Sequence, residues 1–140
     1  MSERFATPQD AEDAFYDAID DQDLPALMAV WEHSDEIACL LPLTPLVRGA
    51  SVREVWAPIL DGRHPVEVQV QHLHWIETSE LAVHYVTERV TPVGQAQSSP
   101  PMYATNLYRR GADGWRLILH QNSPAPPPAG SQRDRAPNRD

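Results

Sequence analysis

Apolar residues recur at helical spacing near the start of the chain, with Ala11, Ala14, Phe15, Ala18 and Ile19 on one stripe. Thr7 fits the N-cap, Pro8 the first helical position and Asp10 the first turn. The acids Glu12, Asp13, Asp17, Asp20 and Asp21 fall mostly off the stripe, which reads as a solvated face rather than a carboxylate site. Tyr16 lies at the edge of the stripe, placed to look inward. Asp23 and Pro25 open a second helix whose wide apolar face runs from Leu24 to Trp31. Ile37 to Leu41 form a short apolar strand ended by Pro42. Pro45 and Gly49 mark a loop, and Ser51 to Leu60 read as a third helix.

After Gly62 and Pro65 the period changes to two. Strands are expected over Val66 to Glu77, Leu81 to Thr91, Met102 to Arg110 and Trp115 to Ser123. Thr78-Ser79 and Gly111-Ala112-Asp113-Gly114 join them as hairpins, and Gly94 to Pro101 is a polar loop between the hairpins. Helices first and antiparallel strands afterwards give an α+β fold. The strands carry apolar residues on both alternating faces, so burial on both sides is implied. The helices can cover one face; a second copy of the chain is the simplest cover for the other.

From Pro124 onward nothing larger than Ala or Pro is apolar, which predicts a disordered or polyproline-like tail over 124–140 and a folded domain over 5–123. The composition is that of a soluble globular protein, with 41% hydrophobic and 22% charged residues. The net charge of -9 is concentrated in residues 1–40, which hold eleven acids and one Arg. Without a basic field, nucleic-acid binding is not expected. No apolar run is long enough to span a bilayer, and residues 1–10 do not resemble a signal peptide, so no membrane partner and a cytoplasmic location are expected.

The single cysteine, Cys39, lies in an apolar run and reads as an inert core residue. Four tryptophans are many for this length. Helix–sheet packing is their commoner role, but Trp31 and Trp56 sit on helices that should face a cavity. His120 is late on the last strand and could act as a general base. A hairpin centred on 112–113 sets Asn106 opposite Leu119, so His120 and Asn106 should face opposite sides, with one lining the cavity. His72 and His74 share a side in a regular strand and could ligate a metal, with His84 as third ligand. A tight turn at 77–80 turns His84 away, so no metal or other cofactor is expected. His33 and His64 read as loop or helix-end residues.

The order of these segments resembles the SnoaL-like branch of the nuclear-transport-factor-2-like superfamily. The resemblance rests on Phe15-Tyr16-Asp17-Ala18-Ile19-Asp20 with Asp23-Leu24, then Met28-Ala29-Val30-Trp31 and Cys39-Leu40-Leu41-Pro42. Gly49 with Trp56, Thr105 to Arg109 and Gly114 to Pro124 complete it. Relatives often end the last strand with His-His-Ala-Ser-Pro; here Gln121 and Asn122 replace the second His and the Ala. The resemblance implies three N-terminal helices packed in the concave face of a curved antiparallel sheet. It also implies a homodimer joined through the sheets and a pocket for a small hydrophobic organic molecule. Phe15, Trp31, Trp56, Tyr103, Asn106 and His120 are the pocket candidates. An enzyme of the isomerase, cyclase or dehydratase type, using His120 as acid/base aided by Tyr16 or Tyr103, is one alternative; a non-catalytic dimerisation domain is another. Strand carboxylates occur only at Glu67, Glu77 and Glu88, and residues 37–53 and 89–112 hold none, which argues against ketosteroid-isomerase chemistry.

Overall fold

The computed structural model describes residues 5–126. Three helices, α1 (Pro8–Asp20), α2 (Leu24–Val30) and α3 (Ser51–Trp56), accompany six strands. The strands are β1 (Ala38–Leu40), β2 (Val47–Arg48), β3 (Val66–Glu77), β4 (Leu81–Pro92), β5 (Met102–Gly111) and β6 (Gly114–Pro124). They form one curved sheet in the order β2-β1-β6-β5-β4-β3, antiparallel except where β1 runs parallel to β6. β2 occupies part of the expected Pro45–Gly49 loop. α3 stops at Trp56 rather than Leu60, because Pro58 lacks the N–H that would bond back to Glu54. The part of the expected tail beyond Pro126 lies outside the described residues.

Capping fixes the helix starts. Thr7 Oγ1 accepts from Asp10 N (3.0 Å), and Asp23 Oδ1 accepts from Ala26 N (3.0 Å). α1 lies against β3 and β6 and buries Ala11, Phe15, Ala18 and Ile19 in the core. Its C-terminal end is tied to the sheet by Asp20, whose carboxylate accepts from Val68 N (2.9 Å).

Two bulges decide which side chains share a face. The β5–β6 hairpin starts in register at Gly111↔Gly114, but between Tyr108↔Leu117 and Leu107↔Leu119 the ladder takes in one extra residue, Ile118. Asn106 therefore pairs with His120, not Leu119, and the two share the inner face, contrary to the straight register. The β3–β4 ladder takes in Leu73 between His74↔Tyr85 and His72↔Val86. His72 is thereby turned away from His74 and joins His84 on the inner face. Across the sheet the inner row reads His84–Asn106–His120–Cys39, and an outer row reads Ile76–Val83–Leu107–Leu119.

Residue Phe5 closes the far end. Its backbone bridges Gly114 in parallel, its carbonyl accepts from Trp115 N (2.8 Å), and its ring lies 5.0 Å from the Arg116 guanidinium carbon. Gly114 has φ 108°, and a Cβ there would sit 2.6 Å from Phe5 O. Gly114→Ala should cost about 1–3 kcal/mol through the backbone conformation alone, and more through the clash. Urea unfolding of the variant beside wild type measures the loss; an unchanged midpoint would contradict this packing.

Candidate functional site

A connected set of buried polar groups lies between α1 and the sheet. At one end the Glu12 carboxylate, 1% exposed, accepts from His72 Nε2 (2.5 Å), His84 Nδ1 (2.9 Å) and Tyr108 OH (3.2 Å). Burial by itself raises the Glu12 pKa. The hydrogen bonds and charges of His84 and His72 together outweigh that and hold it below its ordinary 4.5. Asn106 Nδ2 donates to Glu12 Oε2 (3.4 Å) and to Tyr16 OH (3.0 Å). Tyr16 OH in turn donates to Glu88 Oε2 (2.6 Å), and Asn122 Nδ2 donates to Glu88 Oε1 (2.6 Å). Burial, with the Glu88 charge, pushes the Tyr16 hydroxyl well above its ordinary pKa, so it keeps its proton.

This chain fixes the tautomer of His120. Tyr16 has one proton and gives it to Glu88, so its oxygen must accept the Asn106 N–H. The Asn106 amide is thereby oriented with Oδ1 toward His120 Nδ1, at 2.6 Å. An amide oxygen only accepts, so His120 Nδ1 carries the proton and Nε2 keeps its lone pair. Burial lowers the His120 pKa below its ordinary 6.5 against the opposing pull of the Glu88 charge and of a side-chain hydrogen bond with Asn122, so the ring is neutral near pH 7. Nε2 lies 3.8 Å from Glu88 Oε2.

His120, Glu88 and Asn122 form the polar end of a cavity of about 330 Å³. Its walls are otherwise mostly apolar: Ile19, Leu41, Pro42, Trp56, Ile59, Val66, Val68, Val90 and Met102, with Thr44. A hydrophobic chamber with a few convergent polar groups suits a small organic molecule. A neutral imidazole with its proton on Nδ1, beside a carboxylate, can accept a proton at Nε2.

Of the residues expected to line a pocket, Trp56 and His120 do. Phe15 is wholly buried behind them, edge-on to Trp56 (5.7 Å) and tilted against His120 (5.0 Å). Trp31 is not helical; it is the extended C-cap of α2, buried against Phe15 (6.4 Å). Asn106 supports His120 from behind rather than lining the cavity. Tyr103 is 42% exposed, because its odd-numbered place on β5 turns it to the outer face with Thr105 and Leu107. Cys39 is buried, and burial pushes its thiol up to about 12. His33 and His64 lie in loops, and His74 stacks on Tyr85 (6.1 Å). Two carboxylates beyond the expected site residues join the cluster, Glu12 and Glu88. Glu12 was placed on the solvated face, yet it stands three, four and seven residues before Phe15, Tyr16 and Ile19, on the buried side. Glu88 continues the alternation Ala82, His84, Val86, all of them buried.

A curved six-stranded sheet with three helices, and an apolar cavity bordered by a buried histidine and carboxylate, define an α+β protein of the cystatin-like kind. The chain belongs to the SnoaL-like domain family, which it matches over residues 9–127. It is 38% identical to a proposed calcium/calmodulin-dependent protein kinase type II association domain from Thiobacillus denitrificans, with a TM-score of 0.84, covering 89% of this chain and 99% of that one. A proposed dehydratase of the nuclear-transport-factor-2-like family from Streptomyces avermitilis is 26% identical, with a TM-score of 0.74, over 84% of this chain and 92% of that one. A ketosteroid isomerase-like protein from Erwinia carotovora atroseptica shares the fold, at 18% identity and a TM-score of 0.63, over 85% and 94% of the two chains. No curated protein matches the chain. Among the described residues no helix is long and apolar enough to cross a membrane.

The lowered His120 pKa makes stability depend on pH. The folded ring takes up a proton less readily than the unfolded one, so below about pH 6.5 protons load onto the unfolded chain. Stability then falls by up to about 1.4 kcal/mol per pH unit until the folded ring also titrates. Glu12 adds its own loss lower down, as the pH drops through 4.5 toward its depressed folded value. Chemical denaturation across this range should show the acid limb, and in His120→Gln the limb just below 6.5 should lose about one proton's slope. An unchanged limb in that variant would place the ring in solvent.

Proposed function

We propose that this protein binds a small, mostly apolar organic molecule bearing one polar group, and that His120 moves a proton on it as general base. One observation carries the reading: the apolar cavity of about 330 Å³ ends at a buried, neutral His120 whose proton is held on Nδ1 by Asn106, with Glu88 and Asn122 beside the ring. In this reading the three helices pack in the concave face of the sheet and residues 5–123 form the working unit. His120 Nε2 takes a proton from a carbon next to the ligand's polar group. Glu88, held by Tyr16 and Asn122, stabilises the imidazolium that results. The ring returns the proton to another atom of the ligand or to a leaving hydroxyl, which is isomerase-type or dehydratase-type chemistry. The likeness to the proposed dehydratase from Streptomyces avermitilis supports the second outcome.

The same reading makes the protein a homodimer. The outer row Ile76–Val83–Leu107–Leu119 has no cover from its own chain at Ile76, which is 49% exposed, and Leu81 and Tyr85 beside it are 43% and 39% exposed. A second copy laid on this face by two-fold symmetry buries the row against itself. Sedimentation should give a dimer in wild type and a folded monomer in Leu107→Asp; a wild-type monomer at micromolar concentration contradicts the arrangement.

Binding and chemistry separate by variant. A panel of small cyclic ketones, scored by thermal shift, should stabilise wild type but not Val90→Trp, whose indole fills the cavity. Deuterium exchange at the carbon beside the ketone carbonyl, followed by NMR in D2O, should run above the buffer rate. It should fall about a hundredfold or more in His120→Ala, with binding retained. No stabilisation by any ketone overturns the pocket reading; full exchange in His120→Ala removes that residue from the chemistry.

A further inference from the structure

A second cluster, on the other side of Asn106 from the cavity, is built differently. Glu12, His72 and His84 each turn one ligand-type atom to a common point, all within 4.8 Å of one another. The three come from α1, β3 and β4, and only the Leu73 bulge allows His72 to join. We propose that Glu12, His72 and His84 form a binding site for a divalent transition-metal ion of the Zn2+ class.

The donor set is two imidazole nitrogens and one carboxylate oxygen, which suits Zn2+ or Co2+ and not the all-oxygen preference of Mg2+ or Ca2+. Ligand atoms around a tetrahedral Zn2+ stand about 3.4 Å apart, given bonds of about 2.0–2.1 Å. Glu12 now lies 2.5 Å from His72 Nε2 and 2.9 Å from His84 Nδ1, so small side-chain movements open the space. On binding, each imidazole carries its proton on its other ring nitrogen, and the freed lone pair turns to the ion. Outer support is in place: Tyr108 OH and Asn106 Nδ2 both donate to Glu12 Oε2 and hold the carboxylate in position.

Access is also built. His72 is the half-buried member and borders a surface cavity of about 470 Å³, together with Asp13 and Asp17. Two acids at the mouth attract a cation, and the cavity leaves the fourth coordination position open to water or to a small anionic or carbonyl ligand. His74, two residues from His72, faces the other side and takes no part.

Isothermal titration of tag-free, chelator-stripped protein with Zn2+ tests the site. One ion per chain is expected, and Co2+ in its place should give the intense visible bands of a four-coordinate N/O site. His72→Ala and His84→Ala should each weaken binding at least about tenfold, while His74→Ala leaves it unchanged. Circular dichroism checks that each variant folds; if His84→Ala does not, the half-buried His72→Ala decides. Absence of binding to folded wild type overturns the proposal, and so does binding insensitive to His72→Ala or lost in His74→Ala. Because Val90→Trp fills only the apolar cavity, it should bind Zn2+ as wild type does, so failure of the metal site and failure of the ligand pocket are read separately.

Discussion

A carboxylate sealed at the seam between helix and sheet governs much of this molecule. Glu12 stands at 1% exposure, where an unpaired negative charge is strongly unfavourable. It is tolerated because donors from three strands converge on it: His72 from β3, His84 from β4, and Tyr108 and Asn106 from β5. Losing a partner of such a buried charge typically costs about 3–5 kcal/mol, so α1 has little freedom to roll or slide. That fixed helix presents Tyr16 to Glu88 and lays Ile19 along the apolar cavity. The pocket's polar end and one of its walls thus inherit their positions from an ion that does not touch the cavity.

The fold itself was largely legible. Helical stripes, the N-caps Thr7 and Asp23, and the change to period two after Pro65 placed the first two helices and the four long strands close to their observed ends, and the start of the third helix at Ser51. Local chemistry determines those features. The register was not legible, because a bulge is chosen by packing across the sheet and leaves little trace in a run of alternating residues. Ile118 and Leu73 are ordinary strand residues in sequence. Each nevertheless shifts its ladder by one, and these shifts bring Asn106 to His120 and His72 to His84.

The site was legible in part. His120, Tyr16 and Trp56 stood out by residue type and place. Charge pointed Glu12 to the solvated face, and Glu88 counted only as one strand carboxylate among three, although both keep step with buried neighbours on their elements. Tyr103 is the opposite case: its aromatic ring suggests a pocket wall, whereas its parity on β5 sends it outward. Position within the period was the better guide in all three cases, and residue type the weaker.

An amide side chain has a giving end and a receiving end, and Asn106 uses both. Its nitrogen serves Glu12 and Tyr16, while its oxygen receives His120. The row His84–Asn106–His120 is therefore directional, and it sorts two chemically identical rings into different occupations. His84 spends its Nδ1 proton on a carboxylate, while His120 gives its Nδ1 proton to the amide and turns its outer nitrogen toward Glu88. An unlabelled pair of histidines acquires an orientation, as a valve does, from the one neutral residue standing between them.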